Sequence, residues 1–116
     1  MNGKMIWLPK SKHLMLALPN RFEVWRVDPI SAQVIQKIPT QPGVRTLAVD
    51  EDRGVLITVS VLTGQIWIQS LEDGTRLKSL GTVMPMVRQL KLDENRGVGV
   101  LTTWIDIYRF SYLPDQ

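Results

Sequence analysis

"VRTLAVDEDRGV" at residues 44–55 and "VRQLKLDENRGV" at residues 87–98 say nearly the same thing, 43 positions apart. Eight of the twelve positions are identical, and Val49 against Leu92 and Asp52 against Asn95 are mild exchanges, so duplication explains the match better than chance. Each copy opens with apolar residues at alternate positions, as a half-buried strand requires, because successive side chains point to opposite faces. Each then closes on an acidic run ending in Gly, where Asp and Asn bond back to their own turn and Gly supplies positive φ.

The similarity reaches beyond these segments. Ile66-Trp67 falls 41 residues before Ile107-Tyr108, and Val24-Trp25 falls 42 before Ile66-Trp67. A fainter copy lies at the start of the chain, where Lys4, Ile6, Leu8, Lys12 and Leu14 stand 41 before Arg45, Leu47, Val49, Arg53 and Val55. The chain therefore divides into three approximate repeats, 1–43, 44–86 and 87–116, within one domain. Segments 14–18, 22–27, 55–61, 65–71 and 105–110 also alternate and are rich in β-branched and aromatic residues, which suit a pleated surface. Turn formers separate them: Pro19-Asn20, Asp28-Pro29, Pro42-Gly43, Thr63-Gly64, Asp73-Gly74 and Gly81.

No amphipathic helix of ten or more residues is evident, and the pattern predicts an all-β protein of about eleven short strands. Labelled a to d outward, they fall at 5–8, 44–49 and 87–92 for a; 14–18, 55–61 and 98–102 for b; 22–27, 65–71 and 105–110 for c; and 34–38 and 76–80 for d. The third repeat has no d strand, which would leave its c strand as an edge open to a neighbour's strand.

A period near 42 with four strands per repeat is that of propeller blades. The run from "VWRVDPISAQVIQKIPTQPGVRTLAVDEDRGVLITVS" through "VRQLKLDENRGVGVLTTWIDIYRF" resembles degenerate WD40-type β-propeller repeats over nearly the whole chain. The resemblance implies that Trp25, Trp67 and Tyr108 are the aromatic near the end of the third strand, and that Asp50 to Gly54 and Asp93 to Gly97 close the inner strand. This chain departs from the family where no Gly-His pair precedes the inner strands ("TQPGVR", "VMPMVR") and where Trp-Asp is replaced by Trp25-Arg26, Trp67-Ile68 and Tyr108-Arg109. The family's buried polar tetrad is thereby absent, which leaves a related propeller family with looser repeats as the alternative.

Propellers close with four to eight blades in most cases. Not quite three would leave two apolar inter-blade faces open, so the expectation is a partial β-propeller completed by oligomerisation, as a dimer or trimer, or by a protein partner. A fragment of a longer propeller is the third arrangement, against which the initiator-like Met1 counts mildly.

Composition narrows the function classes. At 44% hydrophobic and 22% charged, 116 residues make an ordinary globular chain. The formal charge is +3, and the cations are dispersed without a run, which reads as a solvated surface and disfavours a nucleic-acid partner. Absence of Cys excludes disulfides, thiolate metal ligands and a thiol nucleophile. "MNGKMIWLPKSK" lacks the apolar core of a signal peptide and no run approaches a membrane span, so the default compartment is the cytoplasm.

No catalytic, cofactor-binding or metal-ligating constellation emerges. His13, the sole His, stands alone beside Lys12 at the place of the turn Gly and reads as an exposed turn residue. Asp50-Glu51-Asp52 and Asp93-Glu94-Asn95 read as hairpin-turn residues in preference to calcium ligands. Arg45 and Arg88 recur at the start of the inner strand, either lining a central channel suited to an anion or pairing with the acidic turns; the second is preferred.

The residues expected on one face of the blades, in the b–c and d–a loops, are Arg21, Met84, Pro85, Met86 and Trp104. Together with Arg45 and Arg88 they form the candidate interaction surface, since Trp, Met and Arg are enriched in interface cores. The sequence reading is a noncatalytic protein-interaction or scaffold module without cofactors. The alternative is small-ligand or carbohydrate binding between blades, with Trp104 or Trp67 as a stacking platform; an enzyme ranks third.

Overall fold

The structure is a computed structural model that describes residues 3–83 and 86–113. Eleven strands form three antiparallel sheets, and the described residues contain no α-helix, only the 3-10 turn Pro19–Arg21. The first sheet orders β1 (Met5–Leu8), β2 (His13–Leu18), β3 (Glu23–Val27) and β4 (Val34–Pro39). The second orders β5 (Val44–Asp50), β6 (Val55–Ser60), β7 (Gln65–Ser70) and β8 (Arg76–Thr82). The third holds β9 (Val87–Asp93), β10 (Val98–Thr103) and β11 (Ile107–Ser111), with β11 at its edge. Each sheet is a meander of neighbouring strands, and β1, β5 and β9 are the innermost strands of successive blades, joined where Lys4 donates its backbone N–H to the Arg45 carbonyl.

Pairing divides each blade into two faces, because cross-strand partners share a face. In blade 1, Leu8, Met15, Ala17, Val24 and Ile38 pack against Val44, Leu47, Leu56 and Leu71 of blade 2. The other side of blade 2 presents Ala48, Val55, Ile57, Val59, Ile66 and Ile68 to Leu90, Leu101 and Tyr112 of blade 3, with Tyr108 and Phe110 alongside. Blade 2 is thus apolar on both faces, and its central strand β6 is buried throughout.

The first junction also holds a buried polar bridge. Gln69 accepts from the Thr58 hydroxyl at 2.8 Å and donates to the carbonyls of Pro39 at 2.8 Å, in blade 1, and Gly74 at 2.9 Å. A single amide in a blade core satisfies three groups, two of them in fully buried bonds.

The two terminal faces differ in character. On blade 1 the register aligns Met5, Leu16 and Trp25 across three strands, and Trp7, Leu14 and Val27 beside them, on the face away from blade 2. Met5 and Trp7 are 59% and 52% exposed. Their counterparts in blade 2, Leu47 and Val49, are covered by blade 1. On blade 3 the corresponding terminal positions are not a second apolar face. Lys91 and Arg109 flank Val100 where Ala48 and Ile68 flank Ile57 in blade 2. The expectation of two apolar terminal faces holds for blade 1 alone.

Other expectations shift locally. Phe22 lies before β3 with φ 56°, closing the Pro19–Arg21 turn in the left-handed region. Ile105 and Asp106 belong to the turn before β11, tied by their N–H groups to the Thr103 hydroxyl. Gly81 lies inside β8, where the pairing steps from Ser79 to Thr82 in a bulge. His13 begins β2 and is half-buried; the left-handed turn position taken by Gly54 and Gly97 belongs in blade 1 to Lys12, at φ 62°.

Candidate functional site

The starts of the inner strands converge on a cleft of about 640 Å³ lined by Gly3, Lys4, Arg45, Thr46, Val61, Met86, Val87, Arg88 and Trp104. Arg45 and Arg88 reach it for one shared reason. In β5 the pairing passes from Val44–Ser60 to Thr46–Val59, and in β9 from Val87–Thr103 to Gln89–Thr102, so each Arg is the extra residue of a β-bulge. Bulges re-aim a side chain and are found beside functional sites. In blade 1 Gly3 and Lys4 both bond to Ala17, Gly3 through its N–H and Lys4 through its carbonyl, so Gly3 takes the extra position held by Arg45 and the blade's cation comes from Lys4, at the level of Thr46.

None of these three cations meets a carboxylate among the described residues. The acidic turns lie at the far end of the inner strands, about 17 Å away for a five-residue separation. Their charge is satisfied there. Asp50 accepts from the Arg53 guanidinium at 2.6 Å and from the Tyr112 hydroxyl at 2.8 Å. Burial pushes the Asp50 carboxyl up, but these bonds outweigh it and hold the group below the ordinary carboxylate range.

Asp93 repeats the pairing with Arg96 at 2.6 Å, and this bond lowers its carboxyl. Glu51 accepts the backbone N–H groups of Lys10 and Ser11 at 2.9 and 3.1 Å, tying the blade-1 turn to blade 2 and holding its carboxyl low against burial. Lys10 pairs with Asp52, and Arg53 reaches the Glu94 carbonyl of blade 3. The acidic turns are therefore staples between blades. The preferred pairing of Arg45 and Arg88 with them is corrected: Arg53, Arg96 and Lys10 fill that role.

The remaining sequence candidates sort by position. Met86 and Trp104 stand in the cleft wall, 47% and 64% exposed, so Trp104 is not packed beneath its turn. Arg21 lies outside the cleft, with its guanidinium 5.5 Å from the Trp25 ring centroid. Met84 and Pro85 lie outside the described residues. The face of Trp67 is occupied by Arg76 at 4.8 Å, and its indole N–H is held by Gln65 at 3.1 Å, leaving Trp104 as the more open stacking surface.

Lys4, Thr46 and Val61 were not among the sequence candidates. Lys4 had a signal, its place 41 residues before Arg45; Val61 becomes visible only when the b–c loops are brought together around the inner strands.

No family model and no curated protein matches this sequence. Solved structures do resemble it. Hydrazine synthase from Kuenenia stuttgartiensis superposes with a TM-score of 0.80 at 13% identity, over 93% of this chain and 32% of that one. Kluyveromyces lactis Hsv2 gives 0.71 at 14%, over 97% and 34%, and the computationally designed Ika4 protein 0.73 at 12%, over 95% and 65%. The chain spans about a third of the length of the first two. These neighbours are β-propellers, and the likeness is one of fold: the chain is an all-β run of consecutive propeller blades.

Proposed function

We propose that this chain is a noncatalytic binding module whose blades associate with a copy of itself or with a partner chain through the uncovered face of blade 1. One observation carries the reading: Met5, Trp7, Leu14 and Leu16 occupy positions whose blade-2 counterparts, Leu47, Val49, Leu56 and Thr58, lie on the face that blade 1 covers. A contiguous apolar sheet face is costly to leave in water, and blade stacking is the packing this fold already uses to cover one. Blade 3 contributes the opposite case, a terminal face with Lys91 and Arg109 that tolerates solvent.

The noncatalytic part of the reading is supported by the cleft's chemistry. Its described lining offers cations, a hydroxyl and apolar groups, with no carboxylate or imidazole to move a proton.

Light scattering after size exclusion, on the chain as it stands over a range of concentrations, tests this. Assembly predicts a mass of at least twice 13.2 kDa, or one that rises with concentration. Leu16→Glu, which sets a charge in the middle of the face, should return a folded monomer. A wild-type chain that stays monomeric throughout, in the absence of any partner chain that binds the blade-1 face, would refute the reading.

A further inference from the structure

We propose that the cleft at the starts of the inner strands binds an acidic peptide segment of a partner protein, with carboxylates on Lys4, Arg45 and Arg88 and one large apolar side chain against Trp104, Met86 and Val61. In naming a protein partner, this rests on the binding-module reading above; it does not rest on assembly of the blades.

Charge comes first. Three cations from three successive blades line one cleft, two of them set there by a bulge that both repeats share. Like charges gathered in a concave site repel one another; the described lining holds no carboxylate, and the acidic turns are paired at the opposite end of the strands. An arrangement of this kind is complementary to an anion with several charges. Arg is suited to it, since its planar fork holds carboxylates in bidentate pairs.

The wall narrows the class. Trp104, Met86 and Val61 give the cleft an apolar side that a bare inorganic anion has no use for, and Trp104 is largely exposed. An acidic segment carrying one aromatic or aliphatic residue engages both sides, and recognition of acidic motifs by Arg clusters is a recurrent mode. The inner strands hold the cations on rigid backbone, and a volume near 640 Å³ is within the size of sites that enclose a ligand group.

Fluorescence anisotropy with a fluorescein-labelled peptide of sequence DEDFED tests this at 50 and 300 mM NaCl. Arg45→Gln and Arg88→Gln should each weaken binding about tenfold, as loss of a charge-assisted contact does. Arg109→Gln, which removes the same charge outside the cleft, should change it less than about twofold.

Trp104→Ala should weaken DEDFED and leave the Phe-free peptide DEDAED unchanged. Inorganic tripolyphosphate should compete only weakly. Equal losses in all three Arg variants would reduce the effect to general charge. Tripolyphosphate binding as tightly as DEDFED, with Trp104→Ala silent, would make the cleft a simple anion site. Either result overturns the proposal. The mass of the Arg45→Gln and Arg88→Gln proteins, measured alongside, should equal that of the wild type, so a failure of assembly and a failure of peptide binding are read separately.

Discussion

Replacing Gln69 with leucine keeps the side chain's approximate volume and removes its three hydrogen bonds. The amide is buried, accepts from the Thr58 hydroxyl and donates to the Pro39 and Gly74 carbonyls. The change orphans one hydroxyl and two carbonyls. A buried group left without its partner costs about 1–3 kcal/mol, and carbonyls sit at the low end because one lone pair can often be re-satisfied.

Taking about 1.5 kcal/mol for each of the two buried groups, less for the part-buried Pro39 carbonyl, and subtracting about 1 kcal/mol for the added apolar burial gives a loss of roughly 2–3 kcal/mol. At this chain length that lowers Tm by roughly 8–12 °C. Urea unfolding followed by tryptophan fluorescence reads it directly, with the midpoint falling and the slope unchanged. Thr58→Val in the Gln69→Leu background removes the orphaned hydroxyl, so the double variant should lose less than the sum of the two single losses. A single-variant loss under about 1 kcal/mol would show that Gln69 does not bridge the first two blades, and strict additivity would show that it is not bonded to Thr58.

The second junction gives a pH-dependent test. Tyr112→Phe removes a buried hydroxyl bond to Asp50 and should cost roughly 1.5–3 kcal/mol at pH 7. Because the folded Asp50 carboxyl titrates below its unfolded value near 3.9, its contribution is present above about pH 4 and is lost as pH falls through the folded value. Tyr112→Phe weakens that depression, so the gap between variant and wild type should narrow in acid; a gap constant to pH 2 would contradict the assignment. Gly64→Ala should destabilise by about 2 kcal/mol or more, since Gly64 has φ 75° and an added Cβ would lie 2.0 Å from the Val83 carbonyl oxygen. Wild-type thermal unfolding for this variant would mean that the b–c and d–a loops of blade 2 are not in contact.

Strand positions were legible because period-two alternation is a local property, and the repeat supplied the blade count. What the sequence hid depends on pairing. Phe22 and Ile105 belong to apolar runs, but a left-handed backbone at Phe22 and a turn bond at Ile105 place them outside the strands. Gly81 looks like punctuation, yet a bulge inside β8 uses its positive φ. The bulges that aim Arg45 and Arg88 leave no mark on the repeat spacing, because both copies carry one at the same place. They become visible once the partners of Val44, Thr46, Val87 and Gln89 are known. The acidic turns were read rightly as turns, but their bonds to the next blade, such as Glu51 on Lys10 and Ser11, join residues about 40 positions apart and carry no local signature.

Hydroxyl-radical footprinting with mass spectrometry, on concentrated and dilute protein, reaches the blade-1 face itself, because Met and Trp are reactive side chains and the chain carries both inside and outside that face. In an isolated chain Met5 and Trp7 are 59% and 52% exposed, Met86 and Trp104 are 47% and 64% exposed in the cleft, and Met15 is fully buried. If blade 1 docks onto another blade, Met5 and Trp7 become protected as concentration rises while Met86 and Trp104 remain reactive. Full reactivity of Met5 and Trp7 at the highest concentration, and in the presence of any partner chain the protein captures, would contradict docking through that face.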